Sequence, residues 1–75
     1  MTTNPTKPSA ALLAKMLENT LREMQLKAMV LVVVADEKDP DVTQVAYACD
    51  DKLDPENVVE SLVYGIRLFS SDKGL

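Results

Sequence analysis

The chain has 75 residues, one cysteine, no histidine, no tryptophan and a formal net charge of −4. That length allows one domain. Cys49 has no partner for a disulfide within the chain, and a structural zinc site lacks its histidine or second thiol. The acidic balance argues against direct nucleic-acid binding, which needs a basic face to neutralise phosphates.

A chain this short buries only about 60% of its unfolded surface, so a single core is marginal. The usual supports are disulfides, a metal or a partner chain. With the first two excluded, oligomerisation remains, and a homodimer is the simplest form of it. The lone cysteine fits a reducing compartment. The N-terminus "MTTNPTKPSA" carries no apolar leader, and the longest apolar run, Ala28 to Ala35, is too short to span a bilayer. A soluble, cytoplasmic protein with no membrane contact and no cofactor is expected.

Residues 1–8 contain Pro5 and Pro8 among small polar residues and read as a flexible N-terminal arm. The single domain is expected over 9–75. Ser9 is a good N-cap for a helix running to about Gln25. At 100° per residue, Leu12, Leu13, Met16, Leu17, Leu21 and Met24 form one broad apolar face, with Lys15, Glu18, Arg22 and Gln25 opposite. Glu18 and Arg22 stand in the favourable i,i+4 order.

Ala28–Ala35 reads as a strand. Its four valines favour extended backbone. It does not alternate, so both of its faces are apolar, which is the pattern of a strand covered on both sides. The turn "DEKDPD" follows, and Pro40 is expected to interrupt regular structure. A second strand is expected from Val42 to Cys49, with Thr43, Val45, Tyr47 and Cys49 on one face and the smaller Val42, Gln44, Ala46 and Ala48 on the other. "LDPEN" then opens the last helix: Asp54 caps it, Pro55 fits its first position and Glu56 suits the positive end of its dipole. This helix should reach about Phe69, with an apolar arc of Val58, Val59, Leu62, Val63, Ile66 and Phe69. Ser61 and Gly65 lie at the edge of that arc, one turn apart.

The order α-β-β-α specifies an α+β fold, a two-stranded antiparallel hairpin packed against two helices and completed by dimerisation. A two-stranded sheet is marginal alone, and a large exposed apolar face marks an interaction surface. Val30, Val32 and Val34 on the first strand, with Ser61 and Gly65 on the last helix, are the candidate dimer contacts.

The charge is unevenly spread. Residues 1–35 hold four basic and two acidic residues, and residues 36–75 hold four basic and ten acidic residues. Asp36, Glu37, Asp39 and Asp41 crowd the turn and are the candidate partner-binding residues. They lack the alternation, the central glycine and the closing glutamate of a calcium loop. A second group, Asp50, Asp51, Asp54 and Glu56, reads as a strand exit followed by a helix cap. The two groups lie at opposite ends of a strand, roughly 25 Å apart at about 3.3 Å per residue. That is too far for paired acid–base chemistry, which needs roughly 5–10 Å.

Cys49 has no histidine to activate it and reads as a small strand residue. Tyr47 and Tyr64 read as core-edge residues with their hydroxyls at solvent. The only glycines are Gly65 and Gly74, so there is no phosphate-cradling loop. The residues therefore point to a small non-catalytic interaction protein presenting an acidic surface to a basic protein partner. Size and charge fit an adaptor, or a regulator or inhibitor encoded by a phage or mobile element. The alternative is a small-ligand sensor with a pocket between helices and sheet or across the dimer.

Overall fold

The computed structural model describes residues 7–75. Of the arm expected over residues 1–8, only Lys7 and Pro8 fall within the described residues. The chain runs α1 (Ala10–Glu23), β1 (Met29–Asp36), β2 (Asp39–Cys49) and α2 (Pro55–Asp72). It has the expected α+β composition, two helices and one antiparallel hairpin.

Each element begins and ends for a local reason. The Ser9 hydroxyl accepts from the Leu12 amide at 3.1 Å, filling one of the donors that a helix start leaves unpaired. α1 ends in a two-bond C-terminal ring. The Gln25 amide donates to Arg22 O at 2.9 Å and the Leu26 amide to Leu21 O at 3.0 Å. That ring requires a left-handed residue, and Gln25 supplies it at φ 64°. α2 ends in the same ring, with Gly74 at φ 74° in the left-handed position and Leu75 donating to Ser70 O at 2.8 Å. At its start, Asp54 Oδ1 accepts from the Glu56 amide at 3.2 Å and Pro55 takes the first position.

The hairpin register sets Met29 opposite Cys49, Leu31 opposite Tyr47 and Val33 opposite Val45 on one face. The other face holds Val30 opposite Ala48, Val32 opposite Ala46 and Val34 opposite Gln44. The tip is a two-residue turn, Glu37–Lys38, tightened by the Lys38 amide donating to Asp36 Oδ1 at 2.8 Å. β2 therefore begins at Asp39, three residues before the expected Val42. Pro40 does not stop it, because the register shifts just beyond Ala35. A proline is tolerated at the start of an edge strand or in a bulge, where its missing donor is not needed.

α1 packs on both strands, and α2 packs extensively on neither. The expectation that two helices cover the hairpin is met only by α1. α1 uses a narrow small-residue stripe, Ala10 and Ala14, which are the buried apolar residues of the described chain. Alanines let the helix approach the face carrying Val30, Val32 and Val34, all half-buried. Docking on this stripe rotates the helix away from the broad leucine and methionine face. Leu12, Met16, Leu17 and Met24 remain exposed. It also turns Glu18 inward to 4% exposure, although the helical pattern places that residue opposite the apolar face. No residue of α2 is buried.

Candidate functional site

Three surfaces are candidates: the hairpin tip, the turn at the other end of the sheet, and the apolar surface left by α2. At the tip, Asp36, Glu37, Asp39 and Asp41 are all exposed and lie together. They are not equivalent. Asp36 Oδ2 accepts from Lys7 Nζ at 2.7 Å, and its Oδ1 closes the turn. The hydrogen bond from Lys7, helped by the Lys38 amide, holds the Asp36 carboxyl below the usual carboxylate range. Asp36 is thus part of the hairpin's own construction. Among the described residues Glu37, Asp39 and Asp41 make no ion pair. Lys7 and Lys38 offset two of the four acids, so the tip is negative by about two charges rather than four.

The second acidic group has structural duties. The Asp50 amide donates to Ala28 O at 3.0 Å, extending the ladder by one bond. Asp50 Oδ1 accepts from the Lys52 amide at 2.9 Å, and the Leu53 amide donates to Asp50 O at 3.1 Å, closing a turn. Arg22 pairs with Glu18 and lies 3.8 Å from Asp50 Oδ2, linking α1 to that turn. Glu18 Oε2 is buried without a hydrogen-bond partner. This arrangement brings two carboxylates to one guanidinium, which sequence spacing alone does not reveal because Glu18 and Asp50 are 32 positions apart. Among the described residues no group of three or more His, Cys, Asp or Glu side chains is placed to hold a metal ion.

Cys49 is half-buried and its thiol lies 3.5 Å from Asp50 O. Tyr47 and Tyr64 are both exposed, at 68% and 65%.

The third surface is apolar. Of the expected dimer contacts, Val30, Val32 and Val34 lie on the face that α1 occupies. The face without a covering element carries Leu31, Val33, Val45 and Tyr47, at 46–68% exposure. Ser61 and Gly65 are exposed and line a groove of about 460 Å³ with Met29, Leu53, Val58 and Leu62. Nothing lies within 4 Å of where a Gly65 side chain would begin. Beyond the groove, Val59, Val63, Ile66, Leu68 and Phe69 stand in the open. Among the described residues, no helix is long and apolar enough to cross a membrane.

No protein-family model matches the chain, and neither a curated protein nor a solved structure matches it.

Proposed function

We propose that the chain is a non-catalytic homodimeric interaction protein that presents its acidic hairpin tip to a basic protein partner. The observation that carries this reading is the division of its surface. One hairpin face and an apolar arc of α2, Val59, Val63, Ile66 and Phe69, are exposed, whereas the tip keeps Glu37, Asp39 and Asp41 at solvent without an ion pair among the described residues. A contiguous apolar surface of this extent favours association. Exposed acids complementary to a basic partner speed encounter and confer salt dependence on it.

The test starts with affinity capture from the native host to identify a basic partner, followed by association kinetics. Glu37→Gln, Asp39→Asn and Asp41→Asn combined should slow association and flatten its salt dependence. Asp36 is left intact because it closes the turn. Asp51→Asn with Glu56→Gln, which removes two charges where the tip variant removes three, is the control at the other end of the sheet. If the tip variant binds as the wild type does, the acids serve solubility and the functional reading fails.

One observation favours the ligand-sensor alternative: the groove between Met29, Leu53, Val58 and Leu62, large enough for a small apolar molecule. A small molecule retained in native mass spectra and displaced by Val58→Trp would support it over the protein-partner reading.

A further inference from the structure

The uncovered face of the hairpin and the uncovered helix match each other in size and chemistry. α2 has 18 residues, about 27 Å at 1.5 Å per residue. β1 has eight residues, about 26 Å at about 3.3 Å per residue. The face offers Leu31, Val33, Val45 and Tyr47. The helix offers Val59, Leu62, Val63, Ile66 and Phe69 along one arc, with Glu56, Glu60 and Arg67 in a narrow stripe that borders the arc beside Val63.

The helix starts on the correct side. Met29 belongs to the same face as Leu31 and Val33, and it shares the groove with Val58 and Leu62 of the first turns of α2. From there α2 runs on without packing extensively on the sheet. The radius of gyration is 15.1 Å, against about 11 Å for a compact chain of this length.

The exposed area is large enough to seat a second copy. The chain exposes 6620 Å², and a compact monomer of 8.2 kDa exposes about 4,500 Å². The excess is about 2,000 Å². A standard interface removes about 800 Å² from each partner, and obligate homodimers remove more. Half of the excess would already suffice for a stable dimer. Helix and receiving face belong to the same chain, so one two-fold axis satisfies both in both copies and leaves neither surplus.

We infer that two copies exchange α2, each laying its Val59, Val63, Ile66 and Phe69 arc across the Leu31, Val33, Val45 and Tyr47 face of the other. This inference rests on the dimeric reading above and adds the surface through which the dimer forms.

The test uses full-length chains in which Cys49→Ser removes the native thiol. One chain carries Val33→Cys and the other Ile66→Cys. They are mixed, refolded together and oxidised. A second pair, Tyr47→Cys with Val63→Cys, guards against one site failing to fold, and circular dichroism checks each chain. The exchange predicts a mixed disulfide-linked species of about twice 8.2 kDa in at least one pair, at several times the yield of either chain alone. Sedimentation equilibrium of the unoxidised mixtures separates the two claims. Dimeric mass with no mixed link in either pair would overturn the exchange and leave the dimer, and Val33→Cys self-links would then show the sheets meeting face to face. An intrachain link in the Val33→Cys, Ile66→Cys double variant at monomer mass would show α2 folding back onto its own sheet, overturning both. Monomer mass without any link would also overturn both.

Discussion

α1 reaches the hairpin through Ala10 and Ala14, with Leu13 and Leu21 half-buried, and keeps Leu12, Met16, Leu17 and Met24 exposed. α2 carries Val58, Val59, Leu62, Val63, Ile66 and Phe69 along one arc and buries none of them. The larger apolar load therefore sits on the helix with the fewer contacts. Most helical stability in proteins comes from packing an amphipathic face. α1 is held by small residues that fit a sheet closely. α2 keeps Val59, Val63, Ile66 and Phe69 exposed in the single chain.

The largest expected effect breaks that contrast at α2. Ile66→Asp, at a position 59% exposed in the single chain, should be nearly silent if α2 stays in solvent. If α2 is covered in a dimer, the variant buries an unpaired charge and should cost about 3 kcal/mol or more. The account predicts the second outcome, read as loss of self-association and of the cooperative thermal transition. On α1 the sensitive position is small rather than large. Ala14 is 0% exposed, and Ala14→Leu should cost about 1–3 kcal/mol by overpacking. For a domain of this size each kcal/mol lowers the melting temperature by roughly 4–8 °C. Self-association should persist in that variant if the α1 contact is internal to each chain.

The two helix ends provide a finer comparison. Both close the same ring, one with Gly74 and the other with Gln25 in the left-handed region. Gln25→Gly should stabilise the protein by about 1 kcal/mol and Gly74→Ala should destabilise it by a similar amount. Chemical denaturation reads both, and equal signs would show that the rings are not equivalent in solution. Gly65 sharpens the picture from the opposite direction. A Cβ there meets nothing within 4 Å in the single chain, so Gly65→Ala should add about 1 kcal/mol through helix propensity. Weaker self-association in that variant would place a partner's backbone against the Ser61–Gly65 edge.

Much of the fold follows from local signals. Ser9, Asp54 and Pro55 mark the helix starts, Gly74 marks an end, and the valines of β1 with the acidic turn mark the hairpin. The start of β2 is not legible because Pro40 is a stop signal except at an edge or a bulge, and its tolerance depends on the register beyond Ala35. The end of α1 is obscured because Gln25 carries no glycine signal. The orientation of α1 is a tertiary choice. Ala10 and Ala14 face the sheet with Leu21 half-buried on the same line, because close approach to a sheet rewards small side chains, and Glu18 is carried inward as a consequence. Which face of β1 stays open cannot be read from its residues, because Val30, Val32 and Val34 are as apolar as Leu31 and Val33. At the tip, the exposure of the acids is legible. The engagement of Asp36 by Lys7 is not, because the two are 29 positions apart.

That engagement gives the smallest expected effect. The Lys7 hydrogen bond lowers the folded-state pKa of Asp36 below its ordinary 3.8. Its contribution is therefore fully present above the ordinary value and is lost as pH falls through the lower folded value. Lys7→Met should move the Asp36 titration, followed by NMR, upward toward 3.8, with little change in melting temperature at neutral pH because the pair is exposed. An unmoved titration would mean that the ion pair does not persist in solution.

Whether a single copy of the chain is complete is read by sedimentation equilibrium of the wild-type protein at micromolar concentration. The account predicts about twice the chain mass of 8.2 kDa across that range. A mass of one chain, together with a cooperative thermal transition, would contradict it.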